Sequence, residues 1–295
     1  MLFSLVVNGE PLAPSQPRVL VPWWSFTKTV LCAAALSLVR DGLIGLDDEV
    51  AEGPFTLRQL LRHQAGLADY SELADYHAAV MRGETPWPAD EMLQRLEASR
   101  LRYPPATQWR YSNVGYLFVA RLIERLSGLA LQDALKQRVL APLGLTQVRL
   151  ATTRADLEDI YPRVAPGYHP GWVYHGLLLG PLSEAALLLE RLLGGQLLPP
   201  ALLEDMQETL VLGGPIAGRP WIAPGYALGL MIGTVSSGLT LCGHTGSGPG
   251  SSVAVYRCVD GDVTASCAVF NPGEDQGSVE AEALDHLARA LANNQ

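Results

Sequence analysis

Trp23-Trp24-Ser25-Phe26-Thr27-Lys28 leads straight into the apolar run from Val30 to Val39. A run apolar nearly all round and closed by Asp41-Gly42 predicts a helix buried in the middle of a protein. At its start Ser25 and Lys28, three residues apart, share one face, which sets a hydroxyl beside an amine. That is a nucleophile next to a base. The plainer alternative is a serine cap and a lysine whose stem lies along the core while its ammonium reaches water. The helix carries Lys28, Ser37 and Arg40 and falls short of the ~20 residues a bilayer span needs, so it is not read as membrane-spanning.

At 295 residues the chain can bury a large core, as one domain or two interleaved ones. With 48% hydrophobic and 17% charged residues and no long polar tract, it reads as globular, not disordered. A net charge of −9 without a Lys/Arg cluster argues against a nucleic-acid partner. The opening Met1 to Glu10 has no basic region and no small-residue cleavage site, so a signal peptide is not expected and the cytoplasm is the expected location. Cys32, Cys242, Cys258 and Cys267 are not at metal-ligand spacing and are expected as buried free thiols. No HExxH occurs, and neither a metal nor an organic cofactor is expected.

Outward from the first helix, strands are expected at Leu2 to Val7 and at Val19 to Val21, joined by a Pro-containing loop. A short amphipathic helix follows Thr56 and ends near His63, where a histidine facing the helix dipole needs no catalytic role. Further helices are predicted between Tyr70 and Arg102, over Tyr116 to Leu126 and over Leu131 to Leu140. Residues 151 to 181 look loop-rich, with Pro-Gly pairs at Pro166-Gly167 and Pro170-Gly171; His169 and His175 could face a cleft, though loop histidines are commonly just exposed. Ser183 is expected to cap the next helix, and a short helix follows Pro199-Pro200. From Tyr226 the period changes to two: strands at 226–234, 239–242, 252–259 and 263–270 imply an antiparallel sheet, closed by an amphipathic helix from Ser278.

Two further stretches are candidates for chemistry. Tyr111-Ser112-Asn113 sits between a Pro-rich loop and a buried helix, placed like a cleft lining, with a capping turn as its alternative. Gly243-His244-Thr245-Gly246-Ser247-Gly248-Pro249-Gly250 leaves backbone N–H groups bare enough to approach a ligand, or is a hairpin connection. It matches neither a P-loop nor a dinucleotide-binding fingerprint, and no GxSxG elbow occurs.

In this order, Ser25-Phe-Thr-Lys28, Tyr111-Ser-Asn113 and His244-Thr-Gly246 resemble the three motifs of the serine β-lactamase and DD-peptidase superfamily, with a second motif like that of its class C and esterase branch. Leu46-Asp-Asp, Leu57-Arg-Gln-Leu-Leu-Arg-His-Gln-Ala-Gly-Leu, Tyr111-Ser-Asn-Val-Gly-Tyr and Pro142-Leu-Gly-Leu look like its signatures too, so the resemblance runs from about Leu20 onward. It implies an α/β (α+β) fold: residues 1–55 and 180–295 as an antiparallel sheet flanked by helices, residues 56–179 as a mainly helical domain, and the active site in the cleft between them. It implies Ser25 as the acylated nucleophile and Lys28 with Tyr111 sharing the base role, a nearby cation favouring phenolate. Asn113 would bind substrate and hold Lys28, His244, Thr245 and Gly246 would line the substrate, and the N–H groups of Ser25 and Ser247 would form the oxyanion hole.

Two departures bear on function. His244 stands where β-lactamases and DD-peptidases usually have Lys, and a histidine with an ordinary pKa of ~6.5 is mostly neutral at pH 7. Little precedes Ser25, whereas family members usually carry a further N-terminal helix, so a sheet face or edge is expected to be open and a homodimer partner would cover it. The reading is a carboxylesterase for small esters with weak or absent β-lactamase activity. Its rivals are a D-amino-acid amidase or peptidase, an acyltransferase and, from another class, a non-catalytic binding or sensor module.

Overall fold

The computed structural model describes residues 1–12, 19–161 and 167–293. The Pro-containing loop expected before Val19 and the Pro166 half of the first Pro-Gly pair lie outside them. β1 (Leu2–Val7) and β2 (Glu10–Leu12) form a hairpin over Asn8-Gly9, whose φ angles of 50° and 83° suit a two-residue turn. β3 (Val21–Pro22) then enters a 3₁₀ turn, Trp24–Phe26, and α1 (Thr27–Arg40), which is buried along nearly its whole length.

Three short helices follow, α2 (Leu57–Leu61), α3 (Ala74–Met81) and α4 (Ala89–Arg95), and then the long α5 (Asn113–Ser127). α2 starts with a full capping box, Thr56 accepting from Gln59 N–H while the Gln59 side chain accepts from Thr56 N–H. α6 (Leu131–Leu135) continues as a π-helical turn to Leu140, and β4 (Arg149–Ala151) and β5 (Leu177–Gly180) complete a small sheet ordered β3-β5-β4. α7 (Leu182–Leu193) and α8 (Pro200–Gln207) precede the remaining strands. Pro181, not Ser183, is the residue at the N-terminus of α7, because the fixed φ of proline opens the helix two residues earlier than a cap at Ser183 would.

β6 (Leu210–Val211), β7 (Trp221–Tyr226), β8 (Met231–Val235), β9 (Thr240–Gly248), β10 (Ser251–Asp260) and β11 (Val263–Asn271) join β1 and β2 in an eight-stranded antiparallel sheet, ordered β2-β1-β11-β10-β9-β8-β7-β6. α9 (Gln276–Ala292), capped by Asp275, lies across it. Alternation sends Ala254, Tyr256, Ala265, Cys267 and Val269 toward α9, and Val253, Val255, Ala268 and Phe270 toward α1 and α7. Both faces of the central strands are thus covered within the chain, which removes the argument for a partner over an open face. The β2 edge, with Pro11, stays exposed.

The strand expected over Tyr226 to Thr234 is instead two strands with a reversal at Ala227 to Leu230. Gly229 makes the turn possible: its φ is +66°, and a Cβ there would sit 2.5 Å from Cys32 Cβ on α1. The turn is tied to α1 by Thr29 Oγ1, which donates to the Gly229 carbonyl at 2.8 Å. The four cysteines are unpaired. No described helix is long and apolar enough to cross a membrane.

Candidate active site

The 3₁₀ turn holds Ser25 just ahead of α1, and Trp24, at φ +40°, is pinned by Nε1 donating to Ser251 Oγ at 2.9 Å. One turn on from Ser25, at the second residue of α1, Lys28 is fully buried and its Nζ lies 3.2 Å from Ser25 Oγ. Loss of hydration holds the Lys28 amine down to about 7, with the Asp69 carboxylate pulling weakly the other way. A lysine so placed is in large part a neutral amine at neutral pH, which is what a base needs.

Tyr111 enters from the loop before α5. Its ring centroid is 5.0 Å from Lys28 Nζ, and its surroundings run against the expected phenolate: burial pushes the phenol up, its hydrogen bond with Ser25 pulls down, and Asp69 pushes up again. Tyr111 therefore rests as a protonated phenol, since hydration lost on burial disfavours its anion more than the depleted charge of Lys28 favours it. Asn113 also departs from expectation. Its backbone N–H and its side-chain Nδ2 both donate to the Asp69 carboxylate, the latter at 3.3 Å, while the hydrogen bonds of Lys28 go to Ser25 and His175. Ser112, not Asn113, caps α5, accepting from Gly115 N–H at 3.3 Å.

The Gly-rich stretch is a strand, not a connection: β9 runs through Gly248, and the turn is at Pro249-Gly250. β8 pairs with β9 only as far as Gly243, so His244 to Gly248 border the Ser25 turn. A Cβ on Gly246 would lie 2.6 Å from Ser25 N, and one on Gly248 would meet the Trp24 ring at 2.4 Å. The glycines let β9 lie against the backbone at Ser25, bringing Ser247 beside it. Thr245 Oγ1 donates to Glu280, a fully buried carboxylate that Arg219 also binds through Nε at 2.7 Å and through Nη2.

His244 is buried, with Nε2 3.0 Å from Tyr226 Oη, and burial and the Lys28 charge push it down to about 3. It is neutral at physiological pH. Among the described residues no group of three or more His, Cys, Asp or Glu is arranged to hold a metal.

The Beta-lactamase family model matches residues 1–283. The chain belongs to the Beta-lactamase family. This is the serine β-lactamase and DD-peptidase superfamily that the three motifs resemble. Within this family the chain is 26% identical over 266 residues to a D-aminopeptidase of Brucella anthropi, a match covering 85% of this chain and 49% of that protein. The chain spans about half the length of the D-aminopeptidases it matches. Its fold is similar to that of a D-stereospecific amidohydrolase from Streptomyces sp., with a TM-score of 0.77 and 23% identity over 95% of this chain and 92% of that one. It is likewise similar to a D-amino acid amidase from Ochrobactrum anthropi SV3, with a TM-score of 0.78 and 21% identity over 98% and 94%.

Two cavities of this Beta-lactamase-family chain meet at Ser25. One, about 380 Å³, includes Tyr70, Tyr76, Tyr168, His175 and Glu274 on its wall; the other, about 480 Å³, includes Trp109, Ile216, Arg219 and Met231. Trp24 and Trp109 thus line the site, whereas Trp23, Trp172 and Trp221 are core. Three residues of the site receive no role from the sequence. His175, which the sequence leaves either facing a cleft or merely exposed, is buried with Nε2 3.1 Å from Lys28 Nζ. His63, for which the sequence suggests only a contact with a helix dipole, is buried at φ +58° and packs against Tyr111 with the rings tilted and their centroids 4.2 Å apart. Asp69 is visible in sequence only as the start of an Asp-x-x-Glu capping box, whose second half is Glu72 accepting from Asp69 N–H.

Proposed function

We propose that this chain is a serine amidohydrolase that opens the amide bond of D-amino-acid amides, or of peptides beginning with a D-residue, through an acyl-Ser25 intermediate. The observation that carries the reading is the buried Lys28 amine, held down to about 7, at 3.2 Å from Ser25 Oγ. The neutral amine takes the Ser25 proton while Oγ bonds the carbonyl carbon, and the N–H groups of Ser25 and Ser247 hold the oxyanion. The Tyr111 phenol gives its proton to the departing nitrogen and is refilled from the Lys28 ammonium. Water then releases the acyl group by the same path. Ser25, His244 and Ser247 come from the sheet-bearing part (1–55 and 180–295), Tyr111, Asn113 and His175 from the helical part (56–179), which fits a site in a cleft between two such domains.

Charge supports the substrate class. His244 is neutral, and Arg219 is held by Glu280, so neither offers a free cation to a substrate carboxylate. Glu274, on the Tyr70 cavity, favours an ammonium instead. That pattern suits an amino-acid amide better than a penicillin, and the names of the relatives point the same way. The carboxylesterase reading remains as a second activity of the same acyl-enzyme, because an alkoxide leaves more readily than an amine.

Initial rates on D- and L-phenylalanine amide, on the matched p-nitrophenyl esters and on a cephalosporin separate these readings. Preferred turnover of the D-amide, lost in Ser25→Ala, is expected. Ester turnover with amide rates no higher than those of Ser25→Ala would return the esterase reading, and no adduct with a fluorophosphonate would favour the binding module.

A further inference from the structure

Lys28 Nζ has two hydrogen-bond partners, Ser25 Oγ and, at 3.1 Å, His175 Nε2. The second plays no part in the mechanism above. His175 stands at a turn closed by Gly176 N–H donating to the Val173 carbonyl at 2.7 Å, directly before β5. β5 is in turn fastened to the nucleophile's segment: Trp23 N–H donates to the Leu178 carbonyl at 2.8 Å, and Leu178 N–H to Thr27 Oγ1 at 3.2 Å. The backbone therefore presses this imidazole against the amine. Its other nitrogen, Nδ1, is buried with no partner among the described residues, so Lys28 is the ring's one polar contact there.

We propose that His175 is a positioning residue for Lys28: its Nε2 accepts one N–H of the neutral amine and so turns the amine's lone pair onto the Ser25 hydroxyl. The inference rests on the acyl-Ser25 reading. A neutral imidazole beside a neutral amine has two arrangements. With the proton on Nε2, the ring donates into the lone pair of Lys28, and the amine is left able only to donate to Ser25. With the proton on Nδ1, Nε2 accepts, and the lone pair is free to take the Ser25 proton. After that transfer the Ser25 O–H bond is broken, the new N–H bond is on Nζ, and the Oγ electron pair is in the bond to the carbonyl carbon. The ammonium has no lone pair and can only donate, so Nε2 must accept. The Nδ1–H tautomer therefore serves both states, and the ring neither gains nor loses a proton.

The surroundings keep that ring neutral. Burial, then the charge of Lys28, pushes His175 well below its ordinary value. Lys28 itself faces Ser25, the rings of Tyr111 and Tyr116, the Asp69 carboxylate, and His63 and His244, while His77 and Glu274 share the cavity wall with His175. A neutral acceptor on an ammonium favours the charged form, so His175 holds the Lys28 pKa up against burial.

The test is the pH dependence of Ser25 labelling by a fluorophosphonate, followed by intact mass, in wild type, His175→Leu, His175→Asn and His175→Gln. Leu has no acceptor and Asn is too short to reach Nζ, whereas Gln carries an acceptor near the place of Nε2. Wild type should label with a half-maximal pH near 7. The Leu and Asn variants should lose ~10-fold or more in plateau rate while the half-maximal pH falls by about one unit, and Gln should stay close to wild type. A packing role would lower the rate without moving that pH. Wild-type behaviour in Leu or Asn, or equal loss in all three variants with the pH unmoved, overturns the inference and leaves acyl-Ser25 standing. Absence of a Ser25 adduct in wild type overturns both.

Discussion

Tyr226 Oη lies 3.0 Å from His244 Nε2 and 3.1 Å from His63 Nε2, and the three side chains form a proton-ordered chain. Both ends fix its direction. His244 Nδ1 meets the Thr245 carbonyl at 2.7 Å, which can only accept, so the proton of His244 is on Nδ1 and its Nε2 accepts from Tyr226. Ser112 N–H donates to His63 Nδ1 at 3.1 Å, so His63 carries its proton on Nε2 and donates to Tyr226 Oη. Every ring is satisfied in the neutral form. Tyr226→Phe is expected to leave one donor and one acceptor buried and unpaired, costing about 1–3 kcal/mol for each group. Denaturant unfolding of the two proteins checks this, and an unchanged midpoint would contradict the chain.

Lys28 sets both activity and stability against pH. Amide turnover should fall as pH drops through about 7, where the amine becomes charged. Because the folded pKa is below the unfolded one, the unfolded state binds more protons between about 7 and 10.5, and stability rises with pH across that window. Lys28→Met removes the buried amine, so it should abolish turnover and raise Tm, with the gain largest at pH 7 and shrinking toward pH 10. Calorimetry at a series of pH values checks the sign; a Tm gain that grows with pH would refute it.

Gly246 lies against the backbone of Ser25. In Gly246→Ala the new methyl would sit 2.6 Å from Ser25 N and 2.9 Å from the Trp23 carbonyl, both backbone atoms that cannot swing aside. β9 and the Ser25 turn must separate, at a cost of about 1–3 kcal/mol of stability from overpacking. With an oxyanion donor displaced, kcat should fall by ~10²–10³. Full activity in a folded Gly246→Ala protein would show that β9 does not supply that donor.

Glu280 keeps Arg219 and Thr245 in place from behind the site. Glu280→Gln leaves the Arg219 guanidinium part-buried without its counter-charge, and breaking such a pair costs about 3–5 kcal/mol. It also releases a positive charge on the wall of the larger cavity. Chemical denaturation should show the loss, and inhibition by N-acyl-D-amino acids bearing a free carboxylate should tighten relative to wild type.

Much of this architecture was legible because its causes are local. The Ser25–Lys28 pairing is a matter of spacing on one turn, and β10 and β11 follow from period-two alternation on either side of the Gly261-Asp262 turn. The misreadings cluster where distant contacts decide. Tyr226 to Thr234 has the composition of one strand, but it reverses at Gly229 because that turn must pack against Cys32. Gly243 to Gly250 has the composition of a loop, yet it is largely strand because pairing with β10 and contact with the Ser25 turn hold it extended.

By itself the sequence singled out Ser25 and Lys28 as the candidate nucleophile and base, the three motifs and the order of most helices and strands, all of which depend on neighbours a few positions apart. Only the tertiary structure decided that His175, 147 positions beyond Lys28, touches its amine, that Asp69 takes up Asn113, and that His63 and Tyr226 anchor His244. It also decided the protonation states. The same lysine, phenol and imidazole in water would be an ammonium, a phenol and a mostly neutral ring with a charged minority; burial turns the lysine toward a free amine and holds His244 fully neutral, because hydration lost in the core is what sets their charge.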